Sequence, residues 1–96
     1  MHIGVCTIRL HLPENHDLKG KRQVVKSVLE RVRARFNVAI AEVDEQDLWQ
    51  MAVLGAATVS TDASHAHEML TKVVEFIQSS RLDAELFDYE IEVIAA

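Results

Sequence analysis

Apolar and polar side chains alternate near both ends of the chain. Every second residue is apolar from the middle of residues 2–12 onward, and the same alternation returns over residues 84–94. Because successive side chains of a strand point to opposite sides, this pattern predicts a strand at each end, each with one apolar face. Residues 38–43 and 49–60 predict two more strands, joined as a hairpin by the polar residues 44–47. The stretch 49–60 is apolar or small on both faces, which is typical of a central strand.

A longer period, with apolar residues three or four positions apart, predicts a first helix over residues 18–36. Asp17 is the expected N-cap, and Asn37, which tolerates a left-handed backbone, is the expected terminator. The apolar residues of this helix fall within an arc of about 80°, which defines the side that packs against the core. They are Leu18, Val25, Val28, Leu29, Val32 and Phe36.

A second helix is predicted over residues 63–79, capped by Asp62 or by Thr61 before it, and a turn over residues 79–83 follows. The order of elements is then strand, helix, strand, strand, helix, strand. Two right-handed βαβ halves of this kind interleave into a four-stranded antiparallel sheet with both helices on one face. We therefore predict an α+β, ferredoxin-like βαββαβ sandwich in which residues 1–96 form a single domain and the first and third strands are central.

Composition excludes several classes of protein. The chain has 96 residues, a net charge of −5 and 49% apolar residues, which is ordinary globular composition. No apolar run reaches the roughly 18 residues of a membrane span and the N-terminus does not resemble a signal peptide, so we expect a cytoplasmic protein without a membrane partner. The single cysteine, Cys6, excludes an internal disulfide and a cysteine metal cluster, and the histidines are scattered. We expect no metal and no cofactor.

No pattern of residues indicates catalysis. Acylphosphatases share the predicted fold and hold phosphate in the loop after the first strand, but here that loop, residues 13–17, has two acids and no glycine. We find no nucleophile elbow and no acid/base pair. Cys6 is expected to lie in the core as a small, inert side chain. We therefore predict that the protein is not an enzyme.

Positive charge is concentrated in the first helix. That helix holds seven of the ten Lys and Arg residues, and residues 18–36 carry about +6 against about −11 for the rest of the chain. Cations one or two helical turns apart can follow an RNA backbone, so we predict a nucleic-acid-binding surface here. The candidate residues are Lys19, Lys21, Arg22, Lys26 and Arg33. An equally weighted alternative is that these side chains cover the core with their stems and pair with acidic residues elsewhere.

The sheet face without helices is the second candidate surface. Its apolar candidates are Ile3, Val5, Ala39, Ala41, Val43, Val53, Ala57 and Val59. A patch of this kind usually marks an interface, so we predict a homodimer through this face or through a sheet edge.

The last strand adds acidic side chains to that face. Its alternation places Phe87, Tyr89, Ile91 and Val93 on one side and Asp88, Glu90 and Glu92 on the other. Arg9 is expected to form a cross-strand ion pair with this acidic row. Trp49, next to the acidic turn, is more typical of a packing residue than of a partner contact.

Three phrases together resemble the YlxP-like family of small bacterial proteins, a domain of unknown function. They are HLPENHDLKGKR (11–22), RFNVAIAEVDEQDLWQ (35–50) and LFDYEIEVI (86–94). The resemblance covers nearly the whole chain and implies a ferredoxin-like fold. It also implies a link to translation or ribosome maturation, because genes of the family often neighbour genes of those processes. Family members often have Ser and Glu where this chain has Asp17 and Gly20.

Two functional hypotheses follow. The first is a non-catalytic accessory factor that binds RNA or the ribosome through the first helix. The second is a small-molecule-sensing dimeric module of the βαββαβ type. Binding to RNA would depend steeply on salt, whereas a metabolite would stabilise the protein against heat with little effect of salt.

Overall fold

A computed structural model of the chain describes residues 1–80 and 83–96, which form four strands and two helices. The elements are β1 (His2–His11), α1 (Leu18–Arg35), β2 (Ala39–Asp44), β3 (Met51–Ser60), α2 (Ala63–Ser79) and β4 (Glu85–Ala95). The strands form one antiparallel sheet in the order β2-β3-β1-β4. The predicted ferredoxin-like α+β fold is confirmed, with β1 and β3 in the centre of the sheet. Of the predicted turn over 79–83, residues 81 and 82 lie outside the described residues.

Alternation along the central strands places the core on one face of the sheet. Cys6, Ile8 and Leu10 of β1 are fully buried, and each lies opposite a buried residue of β3. Both helices cover this face with their apolar stripes. The stripes consist of Val25, Val28 and Val32 on α1 and of Leu70, Val73, Val74 and Ile77 on α2. The opposite face carries no helix, so we call it the open face.

The helix termini follow the predicted capping. The Asp17 carboxylate accepts a hydrogen bond from the Gly20 amide at 2.6 Å, and the Asp62 carboxylate accepts one from the Ser64 amide at 2.9 Å. The prediction of a left-handed terminator at Asn37 is wrong, because α1 ends at an extended Phe36. The positive φ falls instead at Glu45, in the connection between β2 and β3.

Two bulges change which side chains reach each face of the sheet. On β4, Asp88 pairs with Arg9 but Leu86 pairs with the next residue of β1, so Phe87 is the extra residue. Phe87 is 66% exposed, and the predicted continuation of the apolar row through it is wrong. On β2, Val43 is the extra residue, and Glu42 lies opposite the buried Leu54 on the helix-covered face.

Candidate functional site

Three of the predicted cations share one exposed side of α1. Lys19, Arg22 and Lys26 follow one another at intervals of three and four residues, and all three are exposed. Neighbouring members of such a series lie roughly 5–6 Å apart on the helix surface. Lys26 is 3.9 Å from Glu30, but 76% of its side chain is exposed, so this pair leaves its ammonium accessible. We call Lys19, Arg22 and Lys26 the basic flank.

Arg33 lies at the far end of the same side, and the protein itself holds its guanidinium. Its Nη2 donates a hydrogen bond of 2.7 Å to the main-chain carbonyl of Ile40. This bond ties the last turn of α1 to the edge strand β2. On the other flank, the Arg35 guanidinium stacks on the Phe76 ring of α2, 4.7 Å from its centroid. Both arginines therefore have structural contacts that the basic flank lacks.

Lys21 is not on the surface at all. Only 1% of this residue is exposed, although the charge pattern places it among the candidate contacts. Its ammonium donates hydrogen bonds to the main-chain carbonyls of Glu45 at 2.5 Å and Leu48 at 2.7 Å. It also lies 3.1 Å from the Glu42 carboxylate, as an ion pair rather than a well-aligned hydrogen bond. Buried and fully engaged, Lys21 is unavailable to a nucleic acid.

Helical spacing contains a signal for this burial. Lys21 comes four residues before Val25 and seven before Val28, so it continues the apolar stripe of α1 rather than the basic flank. A cation at such a position needs an acidic partner or carbonyls, because an isolated buried charge is too costly. The partner, Glu42, could not be identified from spacing alone, because it depends on which face of β2 is turned toward the helices.

Lys21 clamps the β2–β3 loop (residues 45–50) to the first turn of α1, and the β1–α1 loop (residues 12–17) packs against the same loop. Asn15 contributes to the same junction, since its side-chain amide donates to the carbonyls of Asp17 at 2.7 Å and Trp49 at 2.6 Å. The Asn15 side chain also fills the space where any side chain at Gly20 would begin, so glycine is needed for this close approach. Two of the phrases that define the family resemblance thus meet in space.

The clamped loop presents two large apolar side chains to solvent. Leu48 is exposed and Trp49 is 54% exposed, contrary to the packing role expected for the indole. We call this pair the knuckle. It borders a shallow cleft of about 530 Å³ lined by His16, Asp47, Leu48, Trp49, Gln50 and Met51. Sequence reasoning missed this exposure because it began the third strand at Trp49, whereas β3 begins at Met51 and leaves the indole in the loop.

The open face brings the predicted apolar residues together. Ile3 lies opposite Val59 and Val5 opposite Ala57, which in turn pairs with Ala39 of β2. Ala41 and Val53 also lie on this face, and Val43 packs over Gly55 at its edge. Val5, Val43 and Val59 are exposed, so this is an accessible apolar surface among the described residues. The predicted apolar patch on the sheet face without helices is therefore confirmed.

An acidic row along β4 borders the apolar residues. The predicted cross-strand ion pair is present, with Arg9 Nη1 3.1 Å from the Asp88 carboxylate. Glu90 and Glu92 continue the row, opposite Thr7 and Val5. Both carboxylates are exposed, and among the described residues neither has a salt-bridge partner.

The described residues provide little for chemistry at a reacting centre. Among residues 1–80 and 83–96, no group of three or more His, Cys, Asp or Glu side chains could hold a metal ion. Cys6 is fully buried in the core as predicted, and burial raises the pKa of its thiol to about 11. Such a thiol carries almost no thiolate at neutral pH, so it cannot act as a nucleophile. None of the helices described is sufficiently long and apolar to cross a membrane.

Fold and surfaces together define a small ferredoxin-like α+β protein with a basic helix flank, an apolar open face and a clamped loop. The chain belongs to the family described as protein of unknown function (DUF503), whose model matches residues 3–91. It is 44% identical over 77 residues to the uncharacterized protein YlxP of Bacillus subtilis (strain 168), covering 80% of this chain and 84% of that protein. The resemblance to the YlxP-like family is confirmed.

The fold also resembles that of a designed protein. The de novo designed protein Foldit4 superimposes with a TM-score of 0.53 at 12% identity, covering 100% of this chain and 99% of the other. At that identity the likeness concerns the fold alone.

Proposed function

We propose that this protein is a non-catalytic binding protein that contacts the RNA phosphate backbone, in free RNA or in the ribosome, through the basic flank of α1. The observation that carries the proposal is the alignment of Lys19, Arg22 and Lys26, all exposed, on one side of a helix in a chain of net charge −5. Phosphate contacts of Lys and Arg release condensed counterions and supply sequence-independent affinity. Lys21 does not belong to this surface, and Arg33 is held at its end by Ile40.

Recognition through the sheet is a poorer match to the structure. Modules that stack bases on a four-stranded sheet place aromatic side chains on the two central strands. Here β1 and β3 contain no Phe, Tyr or Trp, so the sheet offers no stacking platform. Contact led by the phosphate backbone, without base readout on the sheet, is the mode that the basic flank supports.

The test is filter binding of a single-stranded RNA of about 20 nucleotides, and co-sedimentation with ribosomes, between about 50 and 200 mM salt. Three phosphate contacts predict a slope of about −2 in log affinity against log salt. The double variant Arg22→Glu, Lys26→Glu should lose at least about tenfold in affinity at low salt and most of that slope. Its melting temperature should fall by at most a few degrees, because both side chains are exposed and the only change within the fold is the replacement of the Lys26–Glu30 pair by like charges.

A matched control reverses two exposed cations elsewhere. Arg31→Glu, Lys72→Glu changes the net charge by the same amount but leaves the basic flank intact. If this control loses as much affinity as the flank variant, binding follows net charge and the proposed surface is rejected. Thermal stabilisation by a metabolite, insensitive to salt, together with absent RNA binding, would support the small-molecule-sensing alternative instead.

A further inference from the structure

We propose that the open face, together with the knuckle at its end, binds a partner protein segment that carries an apolar stripe flanked by lysines or arginines. This surface lies on the side of the sheet away from α1, so the proposal is independent of RNA binding. It rests on the apolar content of the face, on the charges around it and on the rigidity of the knuckle.

The first argument is the extent of exposed apolar surface. Val5, Val43 and Val59 are exposed on the face itself, and Ile94 extends the row on β4 beside Ile3. A second hollow on the same face, lined by Arg9, Asp44, Glu45, Leu48, Met51 and Val53, leads from the strands to the knuckle. Contiguous apolar surface of this kind is characteristic of interaction sites in proteins.

The second argument is charge. Carboxylates border the apolar surface on two sides, with Glu90 and Glu92 along β4, and with Asp44 at the end of β2 followed by Glu45 and Asp47 in the β2–β3 loop. The basic side chains that β1 contributes to this face already lie beside carboxylates of β4. Arg9 pairs with Asp88, and His11 lies 3.9 Å from Glu85. An apolar centre with an acidic border selects a partner whose apolar residues are bordered by cations.

The third argument is preorganisation. Leu48 and Trp49 stand on a loop whose carbonyls are held by Lys21 and Asn15, so little conformational freedom remains to be lost on binding. Trp is also one of the residue types enriched among the side chains that dominate interface energetics. An exposed indole on a rigid loop beside an apolar face is therefore suited to fill a pocket of the partner.

Charge also decides among the other candidate occupants. RNA would bring its phosphates against the same carboxylates and be repelled. A second copy of this chain would bring another set of these acids to a face on which Arg9 is already paired with Asp88. Both remain outcomes that the experiment can detect.

The probe is a synthetic peptide of about 18 residues, in which leucines recur every three or four positions and lysines flank them. Trp49 is the single tryptophan of the chain, so its fluorescence reports directly on the knuckle. Binding, measured by anisotropy of the labelled peptide, should be accompanied by a blue shift of Trp49 emission. A peptide of the same composition, shuffled to remove the stripe, should bind at least about tenfold more weakly, since it keeps the charge and loses the apolar contact.

Substitutions on and away from the open face test whether the peptide binds there. Glu90→Lys, Glu92→Lys and, separately, Trp49→Ala should each weaken peptide binding about tenfold or more. Glu68→Lys, Glu75→Lys, which reverses two exposed acids of α2, should not, and neither should Arg22→Glu, Lys26→Glu. Circular dichroism melting establishes that every variant is folded.

Equal binding of the shuffled peptide, or unchanged affinity of the Glu90/Glu92 variant, would overturn the proposal. So would a blue shift of Trp49 that grows with protein concentration alone and accompanies a dimeric mass in light scattering, because it assigns the face to a second copy. Displacement of the peptide by single-stranded RNA that also quenches Trp49 would assign the face to nucleic acid.

Discussion

The two sides of α1 carry chemically similar cations, but the cation on one side is buried and those on the other are exposed to solvent. On the inner side, Lys21 is 1% exposed and its ammonium is fully engaged by the protein. On the outer side, Arg22 and Lys26 project into solvent one and five residues further along the same helix. The comparison shows that local charge density does not by itself define a binding surface. The position of each cation relative to the apolar stripe decides whether it serves the fold or is free for a partner.

The two sides differ in how the protein offsets the cost of removing a charge from water. Removing a charge from water is costly, and it is tolerated when an opposite charge and hydrogen-bond acceptors surround the group. Lys21 has both, because the Glu42 carboxylate and two carbonyls of the β2–β3 loop surround the ammonium. The exposed cations need no such arrangement, since water solvates them. Substitution should therefore have large effects on stability on the inner side and small effects on the outer side.

The largest effect is expected for Lys21→Met. Loss of the ammonium leaves the Glu42 carboxylate half-buried without its partner, which predicts destabilisation of about 3 kcal/mol or more in urea unfolding. The matched Lys26→Met should change the free energy of unfolding by less than about 0.5 kcal/mol. Adding Glu42→Leu to Lys21→Met should recover part of the loss, because two apolar residues leave no buried charge. Equal unfolding midpoints for the two single variants would refute the distinction between inner and outer sides.

Cys6 shows the other way to bury a titratable group, which is to keep it neutral. Burial raises the pKa of its thiol from 9.0 to about 11. The unfolded thiol ionises above about pH 9 while the folded one keeps its proton, so unfolding releases a proton. The free energy of unfolding should then fall as pH rises from about 9 to 11, by up to about 1.4 kcal/mol per pH unit. Urea unfolding of Cys6→Ala across this window should lack the part of the pH dependence that comes from the thiol. An identical pH dependence in the variant and in the unsubstituted protein would contradict this assignment to Cys6.

A smaller effect is expected at the junction that supports the clamp. Gly20→Ala gains roughly 1 kcal/mol in helix propensity, but its methyl group must displace the Asn15 side chain and its bond to Trp49. We expect a net destabilisation of about 1 kcal/mol by urea unfolding. In an Asn15→Ala background the same substitution should be less costly, because the methyl group then meets only the Asp17 carboxylate that caps the helix. Additive effects of the two substitutions would show that the contact has no energetic role.

Sequence periodicity was sufficient for most of the fold. The alternation in β1 and β4 and the helical stripes predicted every element, their order and the N-cap Asp17, and they left Asp62 or Thr61 as the N-cap of α2, because these depend on local geometry and on burial of one side. The apolar open face and an ion pair of Arg9 with the acidic row of β4 also followed, since the topology brings those strands together, while the strand register selected Asp88 as the partner. The exposure of Phe87 was not predicted, because a bulge is a local departure from the two-residue period on which the prediction depends.

The candidate site was only partly determined by sequence. Charge and helical spacing identified Lys19, Arg22 and Lys26, whose exposure needs nothing from the rest of the chain. The fates of Lys21 and Trp49 were decided by tertiary structure. The carbonyls that accept hydrogen bonds from the Lys21 ammonium lie more than twenty residues away in sequence, and so does Asn15, which holds the carbonyl of Trp49. Local sequence fixes which side of a helix or strand a residue occupies. Whether a charge there is buried with partners or left in water depends on what the fold packs against it.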